Sequence, residues 1–188
     1  ITSLFPTPFS VNVGWLPNSI NGSSDIELNE VLANSSATSS SFPDGDWFEL
    51  FNNGSSSIDL TGWKYVNSVG IWVDIDANTL VANASQSGTT ILPGEYRIVQ
   101  GEILGNPQYL HGSYDSISLH NSNGELVDAL HWVSDFGLNV SLIGGAEVAD
   151  VWTPSAYPTP GQVNPGAMTA VDAEIFISEI MPDDIGND

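Results

Sequence analysis

Three oxygen-bearing side chains, Asp74, Asp76 and Asn78, stand at alternate positions of the 188-residue chain. This is the spacing with which an acidic loop opens around a hard cation, whose ligands are carboxylate and carbonyl oxygens. The stretch stops short of an EF-hand loop. Thr79 stands where the sixth-position glycine is required, and Ser85 where the twelfth-position glutamate would close the site. Asp44 and Asp46 form a second acidic cluster after the first strand-like segment, and Asp183 and Asp184 a third near the C-terminus. Asp44, Asp46, Asp74, Asp76 and Asn78 are therefore the candidate Ca²⁺ ligands, set against the alternative of solvated loop acids. No cofactor is required by any of these patterns.

Other chemistry is less well served. His111, His120 and His131 lack the close spacing of a zinc site, and there is no cysteine to add a thiolate. No G-x-S-x-G nucleophile elbow occurs, and the run Ser39–Ser41 reads as loop. Glu30, Glu49, Asp59 and Asp128 lie on or beside predicted strands. A glycosidase needs two such carboxyls about 5–9 Å apart across a cleft. The same groups can instead accept backbone N–H bonds at bulges and strand ends. Trp15, Trp72 and Trp152 fall outside the clearest core motifs and are candidate sugar-stacking platforms. Five N-x-S/T sequons, at Asn21, Asn34, Asn53, Asn83 and Asn139, suit glycosylation of loops in an extracellular protein.

The charge balance narrows the partners. Against 23 Asp and Glu the chain has two basic residues, Lys64 and Arg97, for a formal charge of −21. Nucleic-acid binding is disfavoured, because phosphate contacts need Lys and Arg to release counterions. An anionic membrane surface is disfavoured for the same reason, and no apolar run has the length of a membrane span or signal core. At 41 % apolar residues this is nevertheless a chain that can fold.

Short apolar-alternating runs, punctuated by turn residues every ten or so positions, predict an all-β sandwich with almost no helix. The central stretch is Asp46 to Trp63, DWFELFNNGSSSIDLTGW. It reads as a β-hairpin. Phe48 and Leu50 face one side of the first strand and Glu49 the other, Asn52-Asn53-Gly54 supplies positive-φ residues, and Gly62 marks a bend. Asp25–Leu32 is the first strand, followed by a Ser/Asn-rich loop over Ala33–Gly45. Tyr65–Asp74 is a strand pair turning at Gly70, and Ile75–Thr90 is a polar excursion. Pro93-Gly94 turns into Glu95–Gln100, and Asn123-Gly124 joins Ser116–His120 to Glu125–Val133.

The two ends echo the middle. TSLFPTPFSVN at residues 2–12 resembles PSAYPTPGQVN at residues 154–164, and EIFISEIMPD at 174–183 resembles DIELNEVLAN at 25–34. This predicts three parts. Residues 1–24 are the end of a preceding repeat with a linker, 25–166 a complete sandwich, and 167–188 a linker with the first strand of a following repeat. That strand presents Ile175, Phe176, Ile177, Ile180 and Met181 as an interaction surface. A strand separated from its own sheet recruits a partner edge. The expected partners are other copies of the chain or neighbouring repeats.

The core DWFELFNNG…IDLTGW, together with LNEVLAN, LPGEYRIVQ, SYDSISLHNSNGELVDALHW and the closing PTPGQVN, resembles the lamin tail domain family. These motifs occur in the family's order over most of Asp25 to Asn164. The basic R-x-P-D-G element expected before the closing motif has no counterpart in LIGGAEVADVW. The resemblance implies an immunoglobulin-like β-sandwich without catalysis. With this charge and no coiled-coil heptads, it is closer to the modules of large secreted or surface microbial proteins. The expected function is a non-enzymatic extracellular or cell-surface structural, assembly or adhesion module. Such a module would be one unit of a tandem or head-to-tail array, and a filament subunit if strand donation joins the units. The alternative is an accessory ligand- or glycan-binding module of a secreted hydrolase.

Overall fold

Each predicted strand alternates because a pleated chain sends successive side chains to opposite faces, and the apolar set must find a second sheet to cover it. A computed structural model of the chain describes residues 14–15, 25–36, 45–81, 88–100, 110–133, 135–144 and 152–165. Among these there is no helix. Five strands form one antiparallel sheet, in the order β1 (Gly14–Trp15), β10 (Leu126–Trp132), β9 (Asp115–His120), β5 (Lys64–Asn67), β6 (Trp72–Asp74). Five more form the second, in the order β12 (Thr153–Ser155), β11 (Ser141–Ile143), β2 (Ile26–Leu32), β3 (Trp47–Asn52), β8 (Tyr96–Gln100). A short ribbon of β4 (Ile58–Asp59) and β7 (Thr90–Ile91) stands beside them. This is the immunoglobulin-like sandwich that the motifs imply.

The main core lies between the sheets. Tyr65, Val73, Ile117, Leu119, Leu130 and Trp132 from the first sheet meet Ile26, Leu28, Val31, Phe48, Leu50, Val99 and Leu142 from the second. Phe48 and Tyr65 pack edge to face across it, with ring centroids 4.9 Å apart. Burial pushes the Tyr65 phenol up to about 12, because the phenolate would lose its water there.

The turn signals are mostly met. Gly62, Gly70, Gly94 and Gly124 all lie at positive φ, where a Cβ would be strained. At the β9–β10 hairpin, Gly124 N donates to Asn121 O and Asn121 N to Glu125 O, with Gly124 alone left-handed. That is a three-residue loop, a type I turn closed by a glycine bulge.

The central stretch is not a hairpin. β3 pairs with β2 and β8, whereas β4 pairs with β7 in a different sheet. None of Asn52, Asn53 and Gly54 lies at positive φ. The buried Asn52 side chain shapes the reversal instead. Its Oδ1 accepts from Gly54 N at 3.0 Å, and its Nδ2 donates to Ser56 O at 2.9 Å and Ile91 O at 3.1 Å. An amide that bonds its own following backbone competes with the ladder and turns the chain away from it. The predicted polar excursion after β6 also contributes to the core, through Ile75 and Leu80.

Candidate functional site

Period two places Glu49 opposite Phe48 and Leu50, but the face it occupies is covered. Every residue of β3 except the half-buried Phe51 is buried. Part of the outer face of the second sheet is sealed by apolar contact among Leu32, Trp47, Ile98 and Val81. Beside it lies a buried polar layer, in which Glu30 and Glu49 are direct cross-strand neighbours and both are fully buried.

A β-bulge creates this layer. The register of β2 against β3 shifts between Leu28 and Glu30, so Asn29 is the extra residue, and Leu28 and Val31 both reach the core. Asn29 Nδ2 donates to Glu49 Oε1 at 3.0 Å. The carbonyl of Asn29 accepts from Gly144 N at 2.9 Å and from Asn164 Nδ2 at 3.0 Å.

The lid over the two carboxylates is the closing motif. Thr159 N donates to both Glu30 oxygens at 3.1 Å, and its hydroxyl donates to Glu30 Oε2 at 3.2 Å. Gly161 N donates to Glu49 Oε2 from a left-handed backbone, and Asn164, fully enclosed, ties the end of the segment to Asn29. Charge-assisted bonds of this kind are stronger than neutral ones. The residues 158–164 therefore act as a latch, fastened by side chains more than a hundred residues away in sequence.

A third carboxylate, Asp128, spans the sandwich. β10 is bulged between Leu126 and Asp128, and Asp128 Oδ2 accepts from Leu28 N of the facing sheet at 2.8 Å, beside the β2 bulge. Its Oδ1 accepts from Ala129 N at 2.7 Å. Asp128→Ala would leave the Leu28 amide without that acceptor. The expected loss is about 1–3 kcal/mol in urea unfolding, with Asp128→Asn losing less. Equal losses for the two variants would remove Asp128 Oδ2 as the cause.

The four carboxylates thus take the backbone-holding role. Asp59 accepts from the Thr89 hydroxyl at 2.6 Å, the Thr61 hydroxyl at 2.7 Å and Thr61 N at 2.9 Å, and these bonds hold its carboxyl below the usual carboxylate range. Glu30 and Glu49 are the one pair of these acids the fold makes neighbours, and they do not line a cleft. The latch covers both, so no substrate reaches them in this state.

The described calcium candidates each bond to groups of the protein itself. Asp74 pairs with Lys64 across the β5–β6 strands. Asp76 caps its own turn, accepting from Asn78 N at 2.7 Å and Thr79 N at 3.2 Å, and these bonds hold it below its ordinary value. Asn78 donates its side chain to the same carboxylate at 3.2 Å. Asp46 accepts from Ser35 N at 2.9 Å, while Asp44 lies outside the described residues. Among the described residues no group of three or more His, Asp and Glu side chains is placed to hold a metal ion.

The remaining candidates scatter. His111 stacks on Tyr114, His120 packs against Trp72, and His131 lies on the neighbouring strand opposite Ser116. Trp152 is half-buried, packed against the core and over Gly144, so only Trp72 of the two described indoles stands out into solvent. Of the sequons, Asn53 and Asn139 are exposed and Asn34 is half-buried. Asn139 adopts a φ of 57° and accepts from Ser36 N through its side chain at 2.9 Å. Asn21 and Asn83 lie outside the described residues, as do Ile175, Phe176, Ile177, Ile180 and Met181.

What sequence reasoning missed is the latch itself. Asn29, Thr159, Gly161 and Asn164 carry it, and the only signal for it was the P-T-P-G-x-x-N motif. No curated protein matches the chain. The family model of the lamin tail domain matches residues 20–134, which run from before β2 to just past β10 and include both latch carboxylates, with β11, β12 and the latch segment following. The chain belongs to the lamin tail domain family, a family of non-catalytic immunoglobulin-like domains.

Proposed function

We propose that this protein is a structural module of an extracellular or cell-surface array, whose units join head to tail and assemble rather than catalyse. The observation that carries the reading is the recurrence of both latch halves at the ends of the chain. Residues 6–12, PTPFSVN, repeat the segment that covers Glu30 and Glu49, and residues 174–183 repeat β2, with Glu179 in the place of Glu30. A head-to-tail contact of this kind generates an open fibre or a linear array.

In this reading residues 174–181 add to a sheet of the next unit, through backbone bonds and alternate apolar side chains. Calcium or salt favours association by screening the charge of −21. The microbial secreted type of lamin tail module fits this charge. Deleting residues 174–188 and measuring mass by light scattering at high salt with calcium tests the proposal. The full chain is expected to form species larger than a monomer, and the deleted chain to remain monomeric. A full chain that stays monomeric under those conditions, or a deletion that assembles equally well, overturns strand donation.

A further inference from the structure

Independently of the assembly reading, we propose that the outer face of β5, β6 and β9 is a binding site for a neutral saccharide, centred on Trp72. β6 is the edge strand of its sheet, and the Trp72 indole on it is 53 % exposed. A tryptophan this open is unusual, because it leaves its largest apolar surface in water. It is nevertheless positioned. Its ring centroid lies 4.6 Å from that of His120, with the planes tilted by 53°. His120 Nδ1 is 3.3 Å from Gly124 O, a contact in which the carbonyl can only accept.

The ladder gathers polar groups around the indole. Lys64 lies opposite both Asp74 and His120, and Val66 opposite both Trp72 and Ser118. One strip of sheet thus presents an indole, an imidazole, an ammonium, a carboxylate and a hydroxyl, with donors and acceptors alternating.

Charge selects among ligands. Lys64 is the chain's only lysine and its Nζ sits on Asp74, so the strip is internally compensated on a molecule of charge −21. A polyanion is repelled by the rest of the molecule, and a cation meets Lys64 at the centre of the strip. A protein partner needs about 800 Å² per side with a clustered apolar centre. Here the large exposed apolar side chains are Trp72 and, in the β5–β6 turn, Val69, too few to make such a centre. A pyranose meets all three conditions. It is uncharged, has a C–H face for the indole, and carries hydroxyls that both donate and accept. Its hydroxyls would donate to Asp74, accept from Lys64 and bond the His120 ring, the few polar contacts that fix orientation in a small-molecule site.

The test is calorimetric titration of the full chain with neutral gluco-, xylo-, manno- and chito-oligosaccharides, with oligogalacturonate as the acidic comparison. At least one neutral oligosaccharide is expected to bind, with an affinity indifferent to added salt. Trp72→Ala should weaken it by at least about tenfold, the equivalent of about 1.4 kcal/mol, with Trp72→Phe intermediate and thermal stability unchanged in both. Deleting residues 174–188 should leave the affinity as it is, which separates this site from assembly. The proposal is overturned if no neutral oligosaccharide binds, if Trp72→Ala binds as well as the parent, or if only the acidic oligosaccharide binds.

Discussion

Replacing Glu49 with alanine will open the latch. Glu49 is fully buried and accepts from the buried Asn29 Nδ2 and from Gly161 N of the covering segment. Removing the carboxylate strands the buried Asn29 amide, at a cost of about 1–3 kcal/mol, and releases the covering segment at Gly161. The loss has a ceiling, because a latch that detaches lets water reach the stranded amide. The expected result is a loss of about 3 kcal/mol, or a fall of about 6–12 °C in Tm for a domain of this size. Glu49→Gln keeps the volume and one acceptor oxygen, and should lose about half as much. Hydrogen exchange distinguishes the latch from a general loss of core. The Thr159 and Gly161 amides should exchange through local opening in Glu49→Ala, while those of β3 and β9 stay protected to the global limit. Uniform acceleration across all of these amides would show that Glu49 supports the sheet rather than the lid.

Trp132→Ala should cost more than any surface substitution, about 3–5 kcal/mol. Trp132 is 1 % exposed on β10, and its Nε1 donates to His111 O at 2.9 Å, so truncation empties a large core volume and removes that bond. It also adjoins the small hollow lined by Val31, Phe136, Val140 and Leu142, which truncation would enlarge. Trp72→Ala is the matched control, since its indole stands in solvent and its loss should change stability by under about 0.5 kcal/mol. Urea unfolding of both variants checks the pair. Equal losses would contradict the placement of the two indoles.

Much of the sandwich is legible in single residues. Leu119 and Ile117 alternate with Ser118 and His120 so plainly that β9 is fixed by its own sequence, as is its turn through Gly124. The β5–β6 reversal at Gly70 is legible for the same reason, since a positive φ at the right spacing leaves few alternatives. The reversal after β3 was not legible. Apolar alternation resumes after Asn53 whether the next strand folds back on β3 or leaves for another sheet, and only the buried partners of Asn52 decide between them.

The acids divide in the same way. By itself the sequence determined that Glu30 and Glu49 lie on strands and that Glu49 points away from Phe48 and Leu50, which follows from a local period of two. The same period would put Glu30 on the side of Leu28, and the bulge at Asn29 turns it to the other face. Only the tertiary structure decided that the far side of that sheet is closed, because the atoms that close it belong to Thr159, Gly161 and Asn164, more than a hundred residues along the chain. The backbone sets the direction of a side chain, whereas packing between distant segments sets whether water can reach it. For this reason two carboxylates that could have faced a substrate cleft are found beneath a latch.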